Sequence, residues 1–416
     1  MERLIERVAD ELSMDPVRLR DINMVRNDEI PFMSVGGTLI ESGSPADTMR
    51  NVVEDSRFYD LRSSLGAYKN KAVGVGLAVN TETTVPSLMF QTGIWGGTEH
   101  VSVAITPGGE IVVKSGAVSM GTNIATALAQ IAASEFGVNP DEILVVLGDT
   151  DSTPFSTGLW GSRGCAMIGS AVQNACKILK DKIAKIAAWY LEANPADIIM
   201  ENHSVYVRGH PERKISLREV SRIAYNEKSS LPEGVEPGLE VSAVFEAPNI
   251  SRKPDEKGRI NVSGATTNAA HVAVVEVDLE TFQIRLLSYY ICHDSGLLIN
   301  PAVVENQVIG GLAQSIGATL YEHQLYSGDG IPLASTFADY LIPDSTSIPT
   351  VHVKHSGAPS PYILVGAKGV GESGTIAAPA AIANAVEDAL KRAGISLRLV
   401  KTPIYPHELW GESKSI

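Results

Sequence analysis

Two pairs of apolar, strand-like runs, each joined by a turn of a few residues, constrain this chain most. HVSVAIT and IVVKSGAVS are separated by the Pro107-Gly108-Gly109 turn, and HVAVVEVD and IRLLSYYIC by LETFQ. Runs joined so tightly pair antiparallel, because a parallel crossover needs a dozen or more residues. Further strands are expected in AVGVGLAVN, ILVVLGD and near YILVG. Helical patterns fall between them: 124–136, closed by Gly137; a long helix from near Gly169, with Val172, Cys176, Leu179, Ile183 and Ile186 on one face; 303–321; and 376–393. Strands and helices alternate without a strict βαβ rhythm. The expected fold is therefore α+β, with mixed or antiparallel sheets and packed helices in two subdomains, and not a doubly wound sheet.

Residues 1–26 predict two short helices, with Leu4, Val8 and Leu12 on one face, and Asp15 capping a second helix that begins at Pro16. Residues 40–70 show no period and are expected to drape over the rest; 225–267 read as a polar, Pro- and Gly-containing connection. The expected division is 1–70, 71–225 and 226–416. A chain of 416 residues, 44% hydrophobic and 20% charged, can bury a substantial core. Its formal charge of -14 disfavours nucleic acid and anionic membranes as partners. No apolar run reaches the roughly 18 to 20 residues that span a bilayer, and MERLIERVADELS lacks the apolar core of a signal peptide, so a cytoplasmic location is expected. Cys165, Cys176 and Cys292 do not cluster, which argues against a disulfide framework, a zinc ribbon or an iron–sulfur site on this chain. The histidines, including His271, His293 and the VHVKH pair His352 and His355, read as structural and form no metal site.

The densest motif is YILVGAKGVGESGTIAAPAAIANAVEDAL, with Gly369, Gly371 and Gly374 in G-x-G-x-x-G spacing. That spacing suggests a dinucleotide fold. Three features oppose it. Glu372 would repel a pyrophosphate, ISLRLV leads into Lys401 where an acid for the ribose is needed, and no further βαβ units follow. The glycines present Glu372 instead, either as a poorly solvated carboxylate suited to general-base work or as a cap on a helix beginning near Ser373.

Four motifs in order, TALAQIAASEFGV, GSRG after DTDSTP, NPAVVENQVIGGLAQSIG and GVGESG, resemble the molybdopterin-binding large subunit of the xanthine dehydrogenase and aldehyde oxidase family. The likeness runs along essentially the whole chain. That large subunit is about twice this length, so the resemblance implies the second piece of a split subunit, with a companion supplying the first cofactor domain. It implies a molybdenum–molybdopterin cofactor in its cytosine dinucleotide form, held by pterin sulfurs without a protein metal ligand, and [2Fe–2S] and FAD on partner subunits. The implied reaction is hydroxylation of a small N-heterocyclic aromatic or an aldehyde, with water as the oxygen source.

The resemblance makes Glu372 the catalytic base. It implies that Gly161, Ser162, Arg163, Gly164 and Cys165 hold the dinucleotide at a helix entry, with Arg163 adding a bidentate contact, and that Gln314 and Lys368, with Gly369 and Gly371, approach the cofactor. Where the family has Gly-Gln-Gly this chain has Gly121, Thr122 and Asn123; either polar residue can contact the cofactor or cap the next helix. Thr83, Thr84, Val85 and Leu88, in TETTVPSLMFQ, match a substrate-channel segment, with Thr83 where several relatives stack an aromatic ring. A catalytically idle cofactor-carrying or assembly component is the competing reading, and the intact GVGE motif speaks against it.

Overall fold

The computed structural model describes residues 1–89 and 93–413; Phe90 and Gln91, at the end of the expected channel segment, lie outside them. Two sheets carry the architecture. In the first, of five strands, Ser263–Asp278 is central, flanked by Lys71–Pro86 and Ile284–Asp294, with Ala67–Tyr68 and Thr350–His355 at the edges. Only the pairing of Ile284–Asp294 with Thr350–His355 is parallel. The second has four strands in the order Glu240–Glu246, Thr98–Ile105, Ile111–Ser115, Ile143–Leu147, the last pair parallel. Both expected hairpins form, and the mixed α+β class holds. Each sheet takes strands from both sides of residue 226, so the two halves interleave along the chain.

The central pair of the first sheet shows why AVGVGLA has its composition. Ala72, Gly74, Gly76 and Ala78 point to one face, and Val73, Val75 and Leu77 to the other, as strand alternation requires. The large residues pack with Met49, Val52 and Phe58 of the segment 45–64. The small face receives the helix Ala378–Arg392 through Ala381, Ala385 and Ala389, so closely that a Cβ on Gly76 would lie 2.1 Å from the Ala381 carbonyl oxygen. The second sheet is covered by the helices Ile124–Phe136 and Gly164–Tyr190 around Leu128, Phe136, Met167, Val172 and Leu179.

Several local expectations change. The helices Glu2–Glu11 and Pro16–Asn23 form, and the Arg18 N–H donates to Asp15 as a cap should receive it, yet Leu4, Val8 and Leu12 face outward. Residues 40–70 contain the helices Pro45–Asp55 and Phe58–Ser64. The first was written in SPAD, where the Asp47 N–H donates to Ser44 and Pro45 starts the helix. The 225–267 connection holds the strand Glu240–Glu246 and the start of Ser263–Asp278. YILVG forms turns and no strand, and the isolated bridge of Ala367 to Gly296 follows it.

Gly76→Val should lower stability by about 1–3 kcal/mol or more, because backbone, and not a mobile side chain, opposes the added methyls. Gly310→Ala, in an exposed helix position with nothing within 4 Å of the new Cβ, should be neutral or slightly stabilising. Thermal melting of the two variants checks this; equal melting temperatures would remove the close-packing argument.

Candidate functional site

Three stretches distant in sequence meet at one cavity of about 570 Å³. The first is the turn 159–166, where Gly161 and Ser162 both adopt positive φ and the helix Gly164–Tyr190 begins. The second is the loop 367–372. The third is one side of the helix Pro301–Ile316, started by Asn300, which accepts from the Val303 N–H. Of the residues expected to bind cofactor, Thr122, Gly161, Ser162, Arg163, Gly164, Cys165, Gln314, Lys368, Gly369 and Gly371 contribute to its wall, and so does Glu372.

The small residues are needed for this crossing. A Cβ on Gly369 would lie 2.4 Å from the Ser162 Cβ, and one on Gly161 would lie 2.3 Å from the Pro86 ring. The Gly369 N–H donates to Thr84 Oγ1 at 3.4 Å, and the Thr84 hydroxyl donates to the Ala265 carbonyl at 3.3 Å. The opening turn of the Gly164–Tyr190 helix adds leading N–H groups that have no acceptor within the helix, along with the positive end of its dipole. Burial pushes the Cys165 thiol up to about 12, so it stays protonated.

Several expected roles change on inspection. Arg163 belongs to the wall, but its side chain is fully buried and its guanidinium is committed to protein partners. It pairs with buried Glu99 and also donates to Thr157 at 2.8 Å and the Gly158 carbonyl at 3.0 Å. Arg163 therefore fixes the loop, and its guanidinium is not free to grip a phosphate. Lys368 is likewise committed, donating to Asp294 at 2.8 Å and the Ser42 carbonyl at 2.7 Å. Gln314 is exposed on its helix. Asn123, at positive φ, is the N-terminal boundary of its helix without a side-chain cap, and it stays outside the cavity wall while Thr122 joins it. Thr83, Thr84, Val85 and Leu88 do not line this cavity: Thr84 and Val85 are fully buried behind it, and Thr83 is exposed. Gly164 faces Leu159, whose side chain would lie 2.8 Å from a Cβ at this position.

Glu372 caps nothing, because the helix starts only at Ala378. It is exposed, whereas the strongly buried carboxyl beneath it is Glu82, unremarked in the sequence because TET looks like an ordinary strand end. His271 also matters more than its sequence context suggests. Fully buried on the central strand, it bonds Tyr289 Oη at 3.0 Å through Nδ1 and the Ser373 carbonyl at 2.9 Å through Nε2. Burial holds its pKa down at about 4, so it is neutral at ordinary pH and steadies the residue after Glu372. Among the described residues no group of three or more His, Cys, Asp or Glu converges to hold a metal ion, and no helix is long and apolar enough to cross a membrane.

The chain and its fold have known counterparts. The sequence profile described as the molybdopterin cofactor-binding domain matches residues 51–349. The chain is 32% identical, over its whole length and 49% of the relative, to the nicotine 6-hydroxylase large subunit of Paenarthrobacter nicotinovorans. It is 29% identical, over 94% of its length and 47% of the relative, to a carbon monoxide dehydrogenase large chain from Afipia carboxidovorans. The crystal structure of quinoline 2-oxidoreductase from Pseudomonas putida 86 superposes with a TM-score of 0.85 at 30% identity, covering 99% of this chain and 51% of that one. The chain thus spans about half the length of these relatives.

Arg163→Ala should destabilise by about 3–5 kcal/mol, since it leaves the Glu99 carboxylate buried and unpaired. Removing both partners, as Arg163→Met with Glu99→Leu, should recover much of that loss. Denaturant unfolding of the single and double variants measures it, and a single variant as stable as wild type would return the guanidinium to the cavity.

Proposed function

The chain belongs to the molybdopterin cofactor-binding family, and we propose that it forms the catalytic half of a xanthine dehydrogenase-type molybdenum hydroxylase that oxidises a small N-heterocyclic aromatic or an aldehyde. The observation that carries this is the convergence of Glu372 and the Gly161–Cys165 helix entry on one cavity. The donor set fits a bulky anionic cofactor: glycines that admit it closely, leading N–H groups of a long helix, the amide of Gln314, and, among the described residues, no cluster of three or more His, Cys, Asp or Glu side chains. Gly161, Ser162, Gly164 and Cys165 would hold its phosphates through backbone N–H groups, with Thr122, Gln314, Gly369 and Gly371 around its remaining polar edge. We take the cofactor to be the cytosine dinucleotide form. When bound, it supplies the water-derived oxygen nucleophile and accepts the substrate's two electrons.

This chain's own contribution is proton handling and positioning. Glu372 stands at the cavity wall on a backbone tied by Gly369 to Thr84 and by Ser373 to His271, so its carboxylate reaches the cavity from a fixed base. A carboxylate held this way would serve as the general base, taking up a proton at its oxygen as the nucleophile attacks. The substrate occupies what remains of the cavity, whose apolar wall includes Met120, Leu159, Leu297 and Val303.

A companion equivalent to the other half of the relatives completes the enzyme in this reading, and [2Fe–2S] and FAD partners carry the electrons onward. The stretch 325–342 supports an interface. Tyr326, Ile331, Leu333, Phe337, Leu341 and Ile342 are all exposed there, Phe337 by 83%, beyond what an isolated surface ordinarily leaves bare.

Glu372→Gln should keep the fold and the molybdenum while reducing turnover by at least the roughly 100- to 10,000-fold typical of one acid–base group. Metal analysis beside steady-state kinetics on the assembled enzyme tests this; near wild-type turnover at full molybdenum content would remove the base assignment. Produced without a companion, the chain should be poorly soluble or metal-free. A molybdenum-loaded, active preparation of this chain alone would end the half-enzyme reading.

A further inference from the structure

Tyr289 has no part in the reaction as described so far. It is wholly enclosed in the apolar cluster beneath the first sheet, packed with Ile291, Val308, Leu312 and Ile382. A phenylalanine would fill the same space without burying a hydroxyl, so the hydroxyl carries a desolvation cost that its hydrogen bond must offset. That bond joins Tyr289 Oη to His271 Nδ1 at 3.0 Å. In the strand pairing Tyr289 stands opposite Ala273, and His271 opposite Ile291. The two rings are therefore diagonal neighbours on one face, and they meet edge to face with centroids 5.7 Å apart. The other ring nitrogen of His271, Nε2, reaches the Ser373 carbonyl at 2.9 Å.

Chemistry fixes the direction of both bonds. A backbone carbonyl can only accept, so Nε2 carries the ring proton. Burial keeps the ring neutral, so Nδ1 is a bare acceptor and the Tyr289 hydroxyl donates to it. Without that hydroxyl nothing at Nδ1 would favour this tautomer, and the other one turns the Nε2 lone pair against the Ser373 carbonyl. Ser373 follows Glu372 in a turn closed by the Thr375 N–H, which donates to the Glu372 carbonyl at 2.9 Å. The far side of the turn is pinned to the helix Pro301–Ile316. Thr375 Oγ1 donates to the Gly311 carbonyl at 2.9 Å, and the Ser315 hydroxyl donates to the Thr375 carbonyl at 2.9 Å. A Cβ on Gly374 would lie 2.0 Å from the Val308 carbonyl oxygen. His271 is the tie between this turn and the central strand of the first sheet.

We propose that Tyr289 is a positioning residue for Glu372: by donating to His271 it selects the tautomer that grips the Ser373 carbonyl, and so holds the carboxylate turn in register with the cavity. Wholly buried, Tyr289 acts only through His271, and no proton is exchanged along the two bonds during turnover. The catalytic consequence rests on Glu372 being the base; the hold on the turn does not.

The test compares Tyr289→Phe, His271→Gln and His271→Leu with wild type in the purified, assembled enzyme. Hydrogen–deuterium exchange read by mass spectrometry follows the order of residues 369–376 independently of turnover, beside metal analysis and steady-state kinetics. Tyr289→Phe should speed exchange in that segment several-fold and lower kcat by up to the roughly 100-fold that a misplacement of about 1 Å costs. KM and molybdenum content should stay near wild type. His271→Leu should show the larger effect, and His271→Gln, whose amide again offers an N–H and a carbonyl, should recover much of the loss. Tyr289→Phe removes a hydroxyl and no packing, so it decides the matter even if His271→Leu does not fold. Wild-type exchange in the segment, exchange raised evenly over the whole chain, or an unchanged kcat where Glu372→Gln abolishes turnover would each overturn the proposal. Undiminished turnover in Glu372→Gln, with exchange in the segment still raised by Tyr289→Phe, would instead refute the base assignment and leave the hold on the turn standing.

Discussion

The site depends on how closely three backbones pass one another. Gly369 lies so close to Ser162 and Thr84 that a Cβ there would clash with both, and Thr84 accepts the Gly369 N–H. This crossing ties the end of a strand of the first sheet to the entry of the helix that covers the second. Without it a helix dipole and a carboxylate would sit on separate structures; with it both face one cavity. Contacts at this range come from backbone and small side chains and leave little room for adjustment, because interiors are close-packed.

Around the crossing, buried charges act as fasteners. Arg163 with Glu99 and Lys368 with Asp294 are ion pairs whose side chains are fully enclosed. Such pairs add little net stability, since desolvation offsets attraction, but each requires its partner to be in place. Arg163 fixes the helix entry to the strand Thr98–Ile105, and Lys368 fixes the carboxylate loop to the corner after Ile284–Asp294 and to residue 42. Cationic residues beside a glycine-rich loop invite assignment as ligands. Here both are committed to buried carboxylates and do structural work.

This explains which parts were legible in the sequence. Hairpins, long helices and the mixed class depend on local periodicity and turn residues, and they appear as expected. The cavity wall was legible only through the family resemblance, since glycines at 161 and 164 alone read equally as an ordinary helix entry; the structure places 161, 164, 369 and 371 in one wall. What failed was the direction in which side chains point. GSRG and AKGVG specify that an arginine and a lysine flank the site, but their orientation depends on Glu99 and Asp294, distant in sequence. Helix 45–55 was missed for a different reason: its cap signal is local, yet its apolar residues are too few to show a period.

Glu82 illustrates the limit most sharply. Nothing in TETTVP distinguishes its glutamate from Glu110 or Glu246, which sit on or beside strands in solvent. Its environment comes from three other segments: Thr267 across the strand pair, Ser162 from a helix entry, and Glu372 from a loop 290 residues later. Desolvation of a carboxylate belongs to the folded chain and cannot be assigned to a motif. The glycine loop was expected to desolvate Glu372, but it exposes Glu372 to a cavity, and the buried acid lies one strand beneath.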